Sequence, residues 1–306
     1  MIYTLTTNPA IDMNITTDGL QPKVVNRTRD SVYTPNGKGL NVSFVLGYYN
    51  IPTKILGFFG GFSGKYIVEE SMKKGYEVLP TWIEETTRIN IFLFDGEKEY
   101  KMVNEGAYVS KNKQEELLKL IKNAEDMEYL SISGSLPVGI DSNYYQNILE
   151  VCKEKGVKVI LDISSKKLKD LLQFHPYLIK PNDEEIKDIF GFTICNETDV
   201  VSVLEYLYEH GAQNILLTLG ENGSYFYSGE HIYYASTIEI TLLSSACSGD
   251  AALAGFMSIW LTDNTKVEEA LKRSAAIGAN VAESNSLGDF KKVENYKNKI
   301  HVRMVK

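Results

Sequence analysis

Ser244-Ser245-Ala246-Cys247-Ser248-Gly249-Asp250-Ala251-Ala252-Leu253-Ala254-Gly255-Phe256 is a polar run of small residues that opens directly into an apolar helix. The first turn of a helix carries backbone N–H groups without acceptors, and the helix dipole favours negative charge there. Small side chains let an anion such as a phosphate reach that backbone. An acidic residue in such a place opposes anion binding, so Asp250 needs a reason. One is general-base catalysis, in which the carboxylate takes a proton from a hydroxyl while the amides hold a transferring phosphoryl group. The other is an ordinary capped helix with Asp in its first turn. On this stretch alone both readings stand.

Outward from it, β-rich runs alternate with helical ones. Strands are expected at residues 2–6, 54–59, 129–133, 158–163, 177–179 and 214–218. Helices are expected at 40–49, 65–74, 112–123, 142–155, 165–173, 183–190, 198–210, 250–261 and 267–284. Within 112–123, Leu117, Leu118, Leu120 and Ile121 share one face at helical spacing. This alternation predicts an α/β fold, a mainly parallel sheet with helices on both faces. Ligands then bind at the carboxyl ends of the strands. Two segments, 11–33 and 88–104, break the pattern. The second contains Asp95-Gly96 between β-rich runs, a hairpin signal. Both segments look like strands outside the core, either a small β-sheet lid or an edge hairpin without a role.

Composition bounds the partners. The 306 residues are 43% hydrophobic and carry a formal charge of −8, which argues against a general nucleic-acid binder. Cys152, Cys195 and Cys247 fit no CxxC metal or redox motif. No apolar run is long enough for a bilayer, and the first residues read as a strand. A cytoplasmic protein with no membrane partner is the expectation.

Polar or Gly-rich turns follow most of the expected strands. Asn36-Gly37-Lys38-Gly39-Leu40-Asn41 enters a helix; its glycines permit close backbone approach, Lys38 offers a charge, and Asn41 a donor and an acceptor. It lacks the spacing of a P-loop. Gly60-Gly61-Phe62-Ser63-Gly64 is either a sugar or phosphate loop or a tight turn. Ser133-Gly134-Ser135-Leu136-Pro137 ends a strand with hydroxyls suited to a polar ligand. In Lys180-Pro181-Asn182-Asp183-Glu184-Glu185, Asn182 and Glu185 have capping-box spacing. The same pair could help hold a hydrated Mg²⁺. Thr218-Leu219-Gly220-Glu221-Asn222-Gly223 ends the last core strand, where a nucleotide could lie. The four histidines sit outside these motifs, and no nucleophile elbow is present.

In this order the motifs resemble the ribokinase-like (PfkB) carbohydrate kinases, in the branch that holds 1-phosphofructokinase and tagatose-6-phosphate kinase. Asn8-Pro9-Ala10-Ile11-Asp12 and Thr87-Arg88-Ile89-Asn90 add to the resemblance, which spans nearly the whole chain. It implies a core of residues 1–10, 34–87 and 105–306, and a β lid of 11–33 and 88–104 that often pairs two subunits into a homodimer. It implies transfer of the γ-phosphoryl group of ATP to a hydroxyl of a small sugar phosphate. Asp250 matches the base, and the backbone at Ala246, Cys247, Ser248 and Gly249 the anion hole. Asp12 and Asn41 match residues holding sugar hydroxyls. Gly37, Lys38, Arg88, Asn90 and Ser135 complete the substrate side, with Lys38, Arg88 and Ser135 near its phosphate. Asn182 and Glu185 match the Mg²⁺–phosphate region, with Glu185 toward the metal. Thr218, Gly220, Gly223 and Asn280 match the nucleotide side.

The chain departs from the resemblance at several places, including Asn104-Glu105-Gly106-Ala107, which lacks the usual Pro-Gly-Pro, and Leu287-Gly288, a loose match to the C-terminal turn. Cys247 and Asn36 each stand where glycine is usual, and Phe44 replaces a frequent Arg. If position 247 needs a positive φ, Cys is strained there. The resemblance puts fructose 1-phosphate first as substrate. Thr87-Arg88-Ile89-Asn90 fits that choice, whereas Ser248-Gly249-Asp250-Ala251 fits enzymes acting on tagatose 6-phosphate. Fructose 6-phosphate also stays open. A catalytically weak sugar-phosphate sensor on the same scaffold is the alternative of another class.

Overall fold

The structure, a computed structural model, describes residues 1–284 and 286–306. In chain order the elements are β1 (Ile2–Thr6), β2 (Ala10–Thr17), β3 (Thr28–Asn36), α1 (Lys38–Tyr48), β4 (Thr53–Gly60), α2 (Gly61–Lys73), β5 (Glu77–Ile83), β6 (Arg88–Phe94) and β7 (Glu99–Met102). Then follow α3 (Lys111–Asn123), β8 (Tyr129–Ser133), α4 (Tyr144–Lys155), β9 (Lys158–Asp162), α5 (Leu168–Leu171), β10 (Leu178–Ile179), α6 (Asp183–Glu185) and α7 (Glu197–Glu209). The chain closes with β11 (Ile215–Thr218), β12 (Ser224–Tyr227), β13 (Ile232–Ala235), α8 (Ser248–Trp260), α9 (Val267–Ala282), α10 (Val293–Lys297) and β14 (Val302–Met304).

Among the described residues the main sheet has ten strands in the order β14-β13-β12-β11-β10-β9-β8-β1-β4-β5. From β11 to β5 the strands run parallel, and β12, β13 and β14 extend one edge antiparallel. Side chains alternate between two apolar layers, as the two-residue period of a strand demands. Tyr3, Leu5, Leu130, Ile132, Val159 and Leu161 pack with α3, α4 and α7. Ile2, Tyr129 and Ile160, one residue out of phase, pack with α1, α8 and α9.

Five elements escape the sequence reading, the short α10 among them. β5 contains Pro80, which lowers its strand signal; β5 lies at the sheet edge, where proline is tolerated. β12, β13 and β14 form the antiparallel extension, outside the repeating βα rhythm that guided the expectations. The helix expected at 165–173 is only the short α5 followed by a 3-10 turn at Leu172–Phe174, closed by His175 at φ 53° ahead of Pro176. That expected at 183–190 becomes α6 and a π turn at Ile186–Phe190, stopped by left-handed Gly191. In α3 the fully buried apolar positions are Leu117 and Ile121, with Leu118 and Leu120 partly covered.

A separate four-stranded sheet has the order β3-β2-β6-β7. β2 pairs antiparallel with β3 and parallel with β6, and the Asp95-Gly96 turn joins β6 to β7 as an antiparallel hairpin. β2 follows β1 directly and β3 leads directly into α1. The small sheet therefore grows out of the carboxyl edge of the main one. Among the described residues no helix is long and apolar enough to cross a membrane.

Candidate active site

The parallel strands β1, β8, β9, β10 and β11 all end on one side of the molecule. Their last residues and the turns beyond them supply Thr6, Ser133-Gly134-Ser135, Asp162, Lys180-Pro181-Asn182 and Thr218. The N-termini of α1 and α8 point to the same place. Asp250 lies in the first turn of α8, 5% exposed, and Asn41 of α1 donates through Nδ2 to Asp250 Oδ2 at 3.0 Å. Burial pushes the Asp250 carboxyl up to about 6, and the neighbouring Asp162 carboxylate adds to the rise. Such a group is ionised at neutral pH yet basic enough to accept a proton.

Cys247 caps α8 with φ 64° and ψ −11°, the left-handed conformation that glycine adopts without cost. The strain expected at this position is present. Burial, with Asp250 next, pushes its thiol up to about 12, so it stays protonated. In the turn before α8, Ala246 N–H donates to Ser244 Oγ at 3.2 Å and Ser248 N–H to Ser245 O at 3.4 Å. Among the described residues the N–H groups of Cys247, Gly249 and Asp250 have no acceptor. These three amides are the ones open to an anion. A Cβ placed on Gly249 would lie 3.5 Å from Lys180 Nζ, so that ammonium stands over the same turn.

Lys180 is 5% exposed and pairs with Asp162, Nζ to Oδ1 at 3.0 Å. Asp162, 1% exposed, also faces Lys38 Nζ at 4.0 Å. Burial would raise the Asp162 carboxyl, but Lys180 and Lys38 outweigh it and hold it below the usual carboxylate range. Lys38 is pushed up by Asp162, then by Asp250 and Glu185, against its own burial. Asp162, Asp250 and Lys180 are thus buried together, with Lys38 reaching in from a partly exposed position. Lys38 belongs to this cluster beside Asp250, whereas Arg88 and Ser135 lie elsewhere.

Arg88 begins β6. Its Nη1 donates to Asn104 O at 2.9 Å and its Nη2 to Asn8 O at 3.1 Å, while Nε is buried and has no partner among the described residues. Asn8 Nδ2 reaches Ser135 Oγ at 3.4 Å, and Thr7 Oγ1 donates to Ser135 O at 2.8 Å. Arg88, Asn8 and Ser135 therefore meet at one end of the cleft. From that end to Asp250 runs a chain of hydrogen bonds, whose first link is Asn104: its carbonyl accepts from Arg88 and its N–H donates to Asn90 Oδ1 at 3.2 Å. Asn90 Nδ2 donates to Asp12 Oδ1 at 2.9 Å, Asn36 Nδ2 donates to Asp12 Oδ2, and Asn41 Nδ2 donates to Asn36 Oδ1 at 3.2 Å. Burial raises the Asp12 carboxyl despite the Asn90 and Asn36 amides and Arg88. Gly37, at φ 149°, turns the chain from β3 into α1.

On the other flank Asn182 and Glu185 form the capping box their spacing suggests. Glu185 N–H donates to Asn182 Oδ1 at 2.8 Å and Asn182 N–H to Glu185 Oε2 at 3.0 Å. Ser164 Oγ donates to Glu185 Oε1 at 2.5 Å. The carboxylate is thereby aimed, with a lone pair left on each oxygen. Among the described residues no three His, Cys, Asp or Glu side chains converge as a metal cage. A lone oriented carboxylate suits Mg²⁺, which keeps its water and takes oxygens from substrate phosphates. Thr218 N–H donates to Pro181 O at 3.1 Å, placing the end of β11 beside Asn182. Gly220 and Gly223 have φ of 55° and 88°, and a Cβ on Gly223 would strike the backbone of Ala235. Both glycines are demanded by the turn itself. Asn280 of α9 is 2% exposed, and its Nδ2 lacks a partner among the described residues. The Gly60-Gly61 segment is a tight turn into α2, where Gly60 N–H takes Thr87 Oγ1 at 2.9 Å.

The sequence reading names Lys180 without a role and omits Asp162. Treating 158–163 as one uninterrupted strand hides the Asp at its carboxyl end. The rule that ligands gather at those ends is the signal that would have found it.

A sequence profile of the pfkB family carbohydrate kinases matches residues 5–292. The chain belongs to the pfkB family. A D-tagatose-1-phosphate kinase from Klebsiella oxytoca is 47% identical over 302 residues, 99% of both chains. A 1-phosphofructokinase from Bacillus subtilis is 30% identical over 288 residues, 94% of both. The phosphofructokinase-2 from Escherichia coli in complex with substrates and products superposes with a TM-score of 0.90 at 22% identity, over 97% of this chain and 98% of that one. This last likeness concerns the ribokinase-like fold, including the small separate sheet. As a pfkB kinase the chain is an ATP-dependent phosphotransferase whose acceptor is a carbohydrate.

Proposed function

We propose that this pfkB kinase phosphorylates a ketohexose 1-phosphate at its free primary hydroxyl, with D-tagatose 1-phosphate as first substrate and fructose 1-phosphate as second. The observation that carries the reading is the hydrogen-bonded path from Arg88, through Asn104, Asn90, Asp12 and Asn36, to Asn41 and Asp250, with Asn8 tying Ser135 to the Arg88 end. It offers an anion site at one end, polar groups for hydroxyls in the middle and a base at the other end. A sugar carrying phosphate on one terminal carbon and a free hydroxyl on the other fits that order. The name of the relative at 47% identity moves tagatose 1-phosphate ahead of fructose 1-phosphate, the first choice from the sequence. The 1-phosphofructokinase at 30% keeps the latter as the second reading. No relative described above is named for tagatose 6-phosphate, and that alternative gains nothing.

In this reading Asp250 takes the proton of the acceptor hydroxyl as that oxygen attacks the γ-phosphorus of ATP. Asn41 fixes the carboxylate's direction. The amides of Cys247, Gly249 and Asp250, with Lys180 above Gly249 and Lys38 beside Asp162, hold the charge that spreads over the transferring group. Asp162 keeps both lysines in place. Glu185 would hold hydrated Mg²⁺, which when bound neutralises phosphate charge. Asn182, Thr218, Gly220, Gly223 and Asn280 line the nucleotide side. The small sheet acts as the lid over the sugar, and its exposed Val32, Tyr33, Phe94 and Met102 suit a homodimer.

The test is ATP turnover, with Mg²⁺, against a panel of ketohexose 1- and 6-phosphates. Faster turnover of 1-phosphates supports the reading, and preference for 6-phosphates refutes it. No turnover with any of them would favour a sensor.

A further inference from the structure

The Asn36 amide, at the end of β3, uses every hydrogen-bonding capacity it has. Nδ2 donates to Asp12 Oδ2 and to Cys247 Sγ, the latter at 3.7 Å. Oδ1 accepts from Gly37 N–H at 2.5 Å and from Asn41 Nδ2 at 3.2 Å. An amide has two donor hydrogens and two lone pairs, so nothing is left over. Turning it over would set its oxygen against the Asp12 carboxylate and its NH₂ against two donors. One orientation is therefore fixed by four partners drawn from β2, the β3–α1 turn, α1 and the cap of α8.

The four contacts are not equal. A thiol sulfur is a weak acceptor, and 3.7 Å is long. Asp12, Asn41 and Asp250 are buried, while Asn36 and Cys247 are both half-exposed. The hydrogen aimed at Cys247 is thus the one member of the set that a ligand oxygen can take over without breaking the others. It lies midway along the path, between Asp12 and the Asn41–Asp250 pair. The group it meets is neither the sugar's phosphate nor its reacting hydroxyl, but a hydroxyl of the chain between them. Fructose and tagatose differ in this region, at C4. Positions 36 and 247 are also among those where the chain departs from its resemblance, and here those two side chains touch.

We propose that Asn36 is the specificity-determining residue of the sugar site, donating its Cys247-facing Nδ2 hydrogen to the epimeric C4 hydroxyl of a ketohexose 1-phosphate. This rests on the ketohexose 1-phosphate reading above. Cys247 Sγ then acts as the placeholder that keeps the amide oriented before the sugar arrives.

The experiment compares the wild-type enzyme with Asn36→Gly and Asn36→Ser, measuring kcat and KM with ATP, Mg²⁺ and either D-tagatose 1-phosphate or D-fructose 1-phosphate. Loss of the hydrogen bond to the C4 hydroxyl is expected to lower kcat/KM for the preferred epimer about tenfold more than for the other, mainly through KM, on top of a loss common to both sugars from freeing Asp12 and Asn41. The ratio between the two sugars then collapses. An equal loss with both sugars would overturn the proposal and make Asn36 a mere strut of the network, as would no loss at all. Thermal melts identify a variant that does not fold, and the other variant then carries the comparison. A wild-type enzyme that turns over neither sugar removes the functional reading and this inference with it. An active wild type whose preference survives in both variants removes this inference alone.

Discussion

Asn41 Nδ2 donates to Asp250 Oδ2 at 3.0 Å, joining the first turns of two helices, α1 and α8, that enter the site from separate parts of the chain. The same amide nitrogen also reaches Asn36. The direction of the Asp250 carboxylate is thereby tied to the strand that ends in the sugar-side network. Substituting the base tests the chemistry, and substituting its neighbours tests the tie.

Asp250→Asn keeps the shape of the side chain and removes its basicity. The expected result is a loss in kcat of about a thousandfold with KM for the sugar little changed, measured by coupled ATP turnover. A loss below about tenfold would detach Asp250 from the proton transfer.

The same substitution is expected to stabilise the protein at neutral pH. Asp250 is buried, and its carboxyl sits near 6 in the fold, against 3.8 as its ordinary value. A carboxyl raised on folding contributes stability that is fully present below the unfolded value and lost as pH rises through the folded one. Above pH 6 the charged form weakens the native state by a contribution on the order of 1–3 kcal/mol. Thermal melts of wild type and Asp250→Asn should differ at pH 8 in favour of the variant and converge at pH 4. Equal melting temperatures at pH 8 would show that Asp250 is not held above its ordinary range.

Asp162→Asn removes one negative neighbour of Asp250 and the partner of two lysines. With the repulsion gone and Lys38 and Lys180 uncompensated, the Asp250 carboxyl falls. The acid limb of the kcat/KM profile, expected near pH 6 in wild type, moves to lower pH. Lys180 is left as a buried charge without its partner, at a cost of about 3–5 kcal/mol. An unmoved acid limb would separate Asp162 from the base.

Arg88→Ala is expected to raise KM for the sugar phosphate about 10- to 100-fold, with kcat changed far less. The substitution also frees the carbonyls of Asn8 and Asn104 that the guanidinium holds. A melt distinguishes loss of this clamp from loss of the phosphate contact. An unchanged KM would place the substrate phosphate elsewhere.

The core of the fold is legible in the sequence because burial on both faces makes its strands short apolar runs, each followed by a polar turn. β1 and β8 have the expected bounds for that reason. β5 and the β12–β14 extension are not legible, since a proline and an antiparallel addition leave the βα rhythm. In the site, Asp250 and Asn41 are readable because each stands near small or glycine residues in the first turn of a helix, whereas Asp12, between Ile11 and Met13 in β2, is read only from the resemblance. Asp162 is not readable, because within the apolar run 158–163 a single Asp passes for part of the strand until Lys180 and Lys38 are seen around it. Asn36 is visible as a departure from the resemblance, but its four partners come together only through the tertiary fold.

The most direct measurement is ³¹P NMR of the wild-type enzyme with ATP, Mg²⁺ and D-tagatose 1-phosphate, with D-fructose 1-phosphate and the two 6-phosphates in parallel. The expected result is a second phosphomonoester signal growing on the 1-phosphates as ADP forms, faster than on either 6-phosphate. Product appearing only from the 6-phosphates, or ADP forming with no new sugar phosphate signal, would contradict it.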